Sequence, residues 1–370
     1  MNKINVGIIG TGFGAEVHAP IFRLHPGFQL KSIASVYRSD HGAKRSFQDI
    51  AFYSNWREML ESEELDLVSI ASTPAQHHGM ALQALRTGHH VLVEKPLAIN
   101  AGQTLELVEE ANRLKRCAFV NFLWRLTPLR QRIKAMLDQG LLGRIQHIRY
   151  CGSFSGYSTL AGGQRGWEGR SEEGGGFLFA VGSHMIDSLM WWMGEEIAEV
   201  QGDLRTHIPS YEGSDGREVR NADDAFAFTG RFRSGASLAV DVFLPGRTGT
   251  GWRLEIYGEE GTLVMRDDRM LEFSRGGALE SVQIEGVEPP KGLTVPAVHY
   301  YSGFYPMIDS IYRKLTDKPS PLEIPNVADG HRTQAVMDAI LRSSETGSRV
   351  QIDDLSPWNQ AIAARGGGLA

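Results

Sequence analysis

A chain of 370 residues exceeds one ordinary domain and suits two, and its 42% hydrophobic and 22% charged residues are globular composition, enough for a core without staples. The 38 basic and 44 acidic residues leave a formal charge of −6, which excludes bulk attraction to nucleic acid or to an anionic membrane. Two cysteines, Cys117 and Cys151, exclude a disulfide framework and match no metal-ligand spacing, so no metal is expected and a reduced, cytoplasmic setting is the simplest reading.

Met1 leads straight into the apolar run Ile4–Ile9, without the sections of a secretory leader. Further short strands are predicted at residues 30–37, 67–71, 90–93 and 118–122. Helical periodicity lies between them, as in Met80, Leu82 and Leu85 or Leu105, Leu107, Val108 and Leu114. Strands alternating with helices predict an α/β domain over residues 1–122, a doubly wound parallel sheet covered on both faces. Beyond residue 122 the pattern changes. A helix at 129–137 precedes Gly140 and Gly143, and longer alternating strands follow at 225–232, 236–244, 252–257 and 262–265, separated by turns. They read as an antiparallel meander and predict an α+β domain over residues 123–370, built on a large, open, mostly antiparallel sheet. The apolar stretch 177–193 holds His184 and Asp187 near its middle, which would be costly in lipid, so a buried helix is expected there rather than a membrane span. A late amphipathic helix at 329–344 places Val336, Met337, Ile340 and Leu341 on its apolar side and stops at Gly347.

Directly after the first strand, Gly10-Thr11-Gly12-Phe13-Gly14-Ala15 reads G-x-G-x-x-A. Gly10 allows a tight turn, Gly12 lets the backbone approach a pyrophosphate, and the small Ala15 lets the following helix pack on the sheet. The helix start adds free N–H groups and a partial positive charge. Such a turn alone is compatible with a plain loop; its place at the start of a βαβ pattern is what points to a dinucleotide. The end of the second strand, Ser35-Val36-Tyr37-Arg38-Ser39, lacks the acid that grips a ribose 2′-hydroxyl. Arg38 suits a 2′-phosphate instead, which favours NADP over NAD; an arginine pointing into solvent is the alternative.

Residues 69–100 contain Thr73-Pro74 followed by His77, a helix ending in Thr87-Gly88, and Glu94-Lys95-Pro96. With these motifs the chain resembles the glucose–fructose oxidoreductase / inositol dehydrogenase (Gfo/Idh/MocA) family. The resemblance continues through VNFLWRLTPLRQRIKAML, the triple glycine Gly174 to Gly176, Gly182-Ser183-His184-Met185-Ile186-Asp187 and the late helix, so it covers nearly the whole chain. It implies that Thr73, Pro74 and His77 lie along a nicotinamide cofactor, that Glu94 and Lys95 sit by its ring, and that the bond before Pro96 is cis. It further implies Lys95 as the catalytic acid/base and His184 as a second catalytic group, with Asp187 on the same helix face. Trp124 and Arg125 match the family's aromatic–Arg pair and would help wall the substrate site. The chain departs from the family at Ala180, where an aspartate is common four residues before the histidine. Glu172 or Glu173 is a candidate to compensate.

Chemistry supplies an independent reason for the lysine. Oxidising a carbinol removes a hydroxyl proton as hydride leaves carbon, and a lysine at that oxygen can take the proton or stabilise the charge. A free lysine, with a pKa of about 10.4, is a poor base near neutrality, but burial and a cationic ring favour its neutral form. Tyr157, Trp167 and Arg170, in a glycine-rich loop, suit carbohydrate recognition, with an ordinary surface loop as the alternative. The sequence therefore points to an NADP- or NAD-dependent dehydrogenase or reductase of a sugar, inositol or related polyhydroxy compound. Ala180 keeps two alternatives open: transient oxidation with a retained cofactor, and a non-catalytic cofactor-binding sensor. An open sheet face also predicts a homodimer or homotetramer.

Overall fold

A computed structural model of the chain describes residues 3–36, 49–214 and 216–352. The chain divides into two compact units, residues 1–131 with 285–331, and residues 132–284 with 332–370. Both are discontinuous, because the segment 285–331 returns to the first unit.

In the first unit β1 (Ile4–Ile9), β2 (Phe28–Ala34), β3 (Ala51–Tyr53), β4 (Leu67–Ile70), β5 (His90–Val93) and β6 (Ala118–Val120) form one sheet in the order β3-β2-β1-β4-β5-β6. Every pairing in it is parallel. Side chains alternate across the sheet, and the two faces fill two apolar clusters. Val68, Ile70, Val91 and Val93 join the helices Pro74–Arg86 and Ala101–Leu114 through Met80, Leu85, Leu107 and Val108. Leu67 and Leu92 belong to the other cluster, with Ile21, Phe22, Phe304, Met307, Ile308 and Ile311. Four of those residues lie on the helix Val295–Leu315, so the returning segment covers the second face. Pro325 and Asn326 close the β6 edge: Val120 donates to Pro325 O, and Phe119 bridges Asn326. The second strand starts and ends earlier than its apolar run predicts, because pairing of Ile4 with Phe28 sets its register.

In the second unit β7 (Ile145–Ser153), β8 (Ile197–Arg205), β9 (Ser210–Gly213), β10 (Gly216–Val219), β11 (Ala225–Phe232), β12 (Ser237–Phe243), β13 (Gly251–Gly258), β14 (Thr262–Arg266), β15 (Met270–Ser274), β16 (Glu280–Ser281) and β17 (Val350–Gln351) form two sheets. Nine strands make the large one, in the order β16-β15-β14-β13-β7-β12-β11-β8-β17, and β9 and β10 pair as a hairpin. The meander expected from the sequence is interrupted: β7 inserts between β12 and β13 and runs parallel to β12. Ile148, Tyr150, Phe226, Phe228, Leu238, Val240, Leu254 and Ile256 are buried on one face. Their neighbours on the other face include Arg149, Thr229, Arg231 and Asp241, which are exposed. The helix Ser183–Met193 is buried through Met185, Ile186, Leu189 and Trp192, whose ring lies 6.4 Å from Tyr150. No helix among the described residues is long and apolar enough to cross a membrane.

Candidate active site

Each glycine of the first turn does a different job. Gly10 has φ +122°, and a Cβ there would lie 2.2 Å from Ala71 O at the end of β4. A Cβ on Gly14 would press Ile8 at 2.9 Å and Ala71 at 3.3 Å, so the helix start packs on the strands, with Ala15 buried beside it. Around Gly12 a Cβ would meet nothing within 4 Å. The chain then makes one wide helical turn, Gly14–His18, and continues as Ala19–Leu24. A compact turn with one open glycine at a helix N-terminus fits a pyrophosphate, since a group approaching Gly12 meets no protein atom at Cβ distance. Thr11 and Phe13 are half-buried at its rim, and the Phe13 ring meets Tyr300 edge-on at 4.9 Å. Gly10→Ala should cost about 1–3 kcal/mol in backbone strain before any clash. Gly12→Ala should leave stability within about 0.5 kcal/mol yet weaken dinucleotide binding. Denaturant unfolding and a cofactor titration of both variants check this contrast, and equal destabilisation would contradict it.

The same edge of the sheet carries the lysine. After β4, Thr73 is extended and Pro74 opens its helix at the position where a missing N–H costs nothing. After β5 come Glu94 and Lys95, and the bond from Lys95 to Pro96 is cis. Lys95 itself is half-buried. His77 does not lie open along this edge: it is 1% exposed and ties the two turns together, with Nδ1 2.8 Å from Pro96 O and Nε2 3.1 Å from Ser72 O. Burial pushes its pKa down against these carbonyls. A neutral imidazole can donate to only one of them.

Glu94 turns inward as well. Its Oε1 accepts from Asn121 Nδ2 and faces His18 Nε2 at 2.9 Å, while Oε2 accepts from the Lys95 N–H at 3.3 Å. His18 is fully buried, hydrogen-bonded through Nδ1 to Ser69 Oγ at 2.8 Å and stacked on Phe304 at 4.3 Å. Burial pushes the Glu94 carboxyl up, but the hydrogen bond and charge of His18, with Lys95 and Asn121, hold it below its ordinary range. Trp124 and Arg125 lie in the short helix Leu123–Leu126. Arg125 is buried and paired with Asp329 at 3.2 Å, and Arg130 stacks on Trp124 at 4.2 Å.

In the second unit His184 and Asp187 are both buried on the helix Ser183–Met193, 5% and 1% exposed. Ala180 is in the wide turn Leu178–Gly182 that leads into that helix. Trp167 is half-buried, and Arg170 is exposed and paired with Glu173 at 2.8 Å. Tyr157 lies under Arg247 at 4.2 Å. Glu172 accepts from Asn221 Nδ2 at 3.1 Å, so both glutamates near Ala180 are already engaged, Glu173 within its own loop and Glu172 with the segment after β10. Arg38 lies outside the described residues.

Sequence reasoning missed His18, Ser69 and Asn121. One signal was present: a polar His18 three and four residues before buried Ile21 and Phe22 sits on the apolar face of its helix and must find a partner. Ser69 and Asn121 had no such mark, because only strand register brings them to Glu94.

A parallel sheet in this order, with a glycine turn at the β1/β4 switch point, defines a dinucleotide-binding class of protein. Residues 4–122 match the family model described as oxidoreductase family, NAD-binding Rossmann fold, and residues 130–264 match the GFO/IDH/MocA C-terminal domain. The chain belongs to the Gfo/Idh/MocA oxidoreductase family. An uncharacterized oxidoreductase of Synechocystis is 28% identical, over 95% of this chain and 97% of its own. Levoglucosan dehydrogenase of Pseudarthrobacter phenanthrenivorans is 24% identical, over 96% and 100%, and inositol 2-dehydrogenase 2 of Saccharopolyspora erythraea is 25% identical, over 95% and 96%. A solved structure of levoglucosan dehydrogenase with NADH and L-sorbose superposes with a TM-score of 0.80 at 23% identity, covering 95% of this chain and 99% of that one.

Proposed function

We propose that the chain is a nicotinamide-dependent dehydrogenase or reductase acting on a CH–OH group of a sugar, inositol or related polyhydroxy compound, with Lys95 as acid/base and His184 assisting. The observation that carries this reading is the placement of the Gly10 turn, the Thr73 turn and Lys95 after the carboxyl ends of adjacent strands β1, β4 and β5. Gly10, Thr11, Gly12, Phe13 and Gly14 would hold the pyrophosphate, and Arg38 a 2′-phosphate, which favours NADP. A bound nicotinamide supplies the hydride acceptor. As the carbinol carbon loses hydride, its hydroxyl proton passes to Lys95 Nζ and the C=O bond forms, so charge does not build on oxygen. In the reducing direction the same group returns the proton. His77 keeps the Lys95–Pro96 turn on the Ser72 turn, and Glu94 accepts the Lys95 N–H, so both orient the lysine from behind. Trp124, Trp167, Arg170 and Asp187 are assigned to the substrate side.

The test is to mix the protein with NADP⁺ or NAD⁺ and a panel of sugars, sugar acids and inositols, and follow reduced-cofactor absorbance. Cofactor reduction supports the reading and ranks the two cofactors. A bound cofactor with substrate turnover but no net reduction would instead support transient oxidation, which Ala180 favours; no turnover at all would sink both. The polar outer face of the large sheet is proposed as a self-association surface, giving a dimer or tetramer. A monomer in light scattering at micromolar concentration would contradict it.

A further inference from the structure

The β10 strand and the residues that follow it are bonded, almost residue by residue, to the glycine-rich loop of the same unit. Glu218 accepts from the N–H groups of Arg165 at 3.1 Å and Gly166 at 2.8 Å. Arg220, 3% exposed, donates to Leu160 O at 2.7 Å and Gly163 O at 2.5 Å while its Nε holds Glu218 at 2.8 Å. The Asn221 and Ala222 N–H groups reach Gly169 O at 3.1 and 3.2 Å, and Asn221 Oδ1 accepts from Ser171 N at 2.9 Å. Asp223 completes the series. Its Oδ2 accepts from Phe177 N at 3.0 Å and Leu178 N at 2.9 Å, at the head of the helical run that carries His184. Its Oδ1 lies 2.1 Å from where a Cβ on Gly176 would be, and Gly176 has φ +105°, so only glycine lets the chain pass.

Burying a carboxylate is costly unless its hydrogen bonds are supplied. Burial pushes the Asp223 carboxyl up to about 7, against the pull of the Leu178 and Phe177 N–H groups and the Arg165 charge. The acid is nevertheless spent on the backbone of another segment, at a helix head where Ala180 offers no polar group. We propose that Asp223 is a positioning residue: with Glu218, Arg220 and Asn221 it forms a template that sets the loop bearing Trp167 and Arg170 and the head of the His184 helix as one piece. This rests on the assignment of His184, Trp167 and Arg170 to the substrate side.

Hydrogen exchange of the whole free protein, compared with steady-state kinetics on a substrate from the panel, tests it with Asp223→Ala, Asp223→Asn and Arg220→Met. In Asp223→Ala, protection should fall at amide 178, which loses its acceptor, and also at 165–171, while Phe177 N keeps its bond to the main-chain oxygen of residue 223. KM should rise about tenfold and kcat fall about tenfold as the site loosens, with cofactor affinity unchanged. Asp223→Asn, whose amide oxygen accepts the same N–H groups, should restore both readouts. Loss of protection confined to amide 178, or spread without any movement of KM and kcat, would overturn the template. Should Asp223→Ala fail to fold, Arg220→Met reads the coupling from the loop end, and its effect must reach amide 178. A wild-type protein inactive on the whole panel would sink the proposed function, while the exchange data would still decide the template by themselves.

Discussion

Lys95→Met should lower turnover by about 10²–10⁴-fold, the range for losing a positioned acid/base, while folding and cofactor affinity stay close to wild type. Methionine keeps the apolar stem of a half-buried side chain and removes only the charged, proton-carrying end. The residues that set the corner remain: His77 still spans Ser72 O and Pro96 O, and Glu94 still accepts the N–H of residue 95, a backbone contact that survives the substitution. The glycine turn after β1 is untouched. Cofactor titration, thermal unfolding and kcat on the same preparation separate these effects. A variant that binds cofactor, unfolds normally and turns over at the wild-type rate would show that the lysine is not the acid/base.

His18→Leu should be the most destabilising of the changes considered, by about 3–5 kcal/mol, the cost of breaking a buried hydrogen-bonded pair from one side. Leucine suits the apolar cluster around Phe22 and Phe304, so packing is not what is lost. What is lost is the donor to Glu94 Oε1, leaving a 7% exposed carboxylate with Asn121 and the Lys95 N–H alone. The pH dependence has a definite sign. Glu94 is held below its ordinary value of 4.5, with His18 and Lys95 as the charges acting on it. Its ionised form therefore contributes stability that is fully present above about pH 4.5 and is lost as pH falls through the depressed value. The gap between wild type and variant in denaturant unfolding should be wide at pH 7 and narrow below pH 4.5. A constant gap across that range would mean that the pair does not carry the stability. Glu94 also accepts the Lys95 N–H, so with Lys95 in its proposed role activity should fall with stability.

Much of the fold was legible in the residues, and the reasons differ by element. Buried parallel strands are short apolar runs, so β1 and β5 could be read to the residue from Ile4–Ile9 and from residues 90–93. Amphipathic helices repeat locally, and the late helix showed its apolar side at Val336, Met337 and Ile340, with Gly347 beyond it at φ +67°. The helix Val295–Leu315 carried the same kind of stripe, with Phe304, Met307, Ile308 and Ile311 at positions i, i+3, i+4 and i+7. It was nevertheless not among the elements predicted from the sequence, and the sheet face it covers left no local mark. That is decided by apolar area left open after β6, about 180 residues away in sequence.

The candidate site divides along the same line. Gly10 and Gly12 follow from local geometry, a turn with positive φ and an open approach, whereas Lys95 and the turn at Thr73-Pro74 rest on the family resemblance of their motifs. A local rule involves neighbours only, so the sequence alone determined the two glycines, along with the short apolar runs of the parallel sheet and the alternation of the longer strands in the second unit. Only the tertiary structure decided that His77 faces inward between two carbonyls, that Glu94 meets His18 and Asn121, that β7 runs parallel beside β12, and that Asp223 heads the His184 helix. Each of these joins groups far apart in the chain, through strand register and the need of a buried polar atom for a partner. Register leaves no mark on the residues immediately around it, and the need for a partner marks only a polar residue on an apolar helix face, as at His18, without naming the partner.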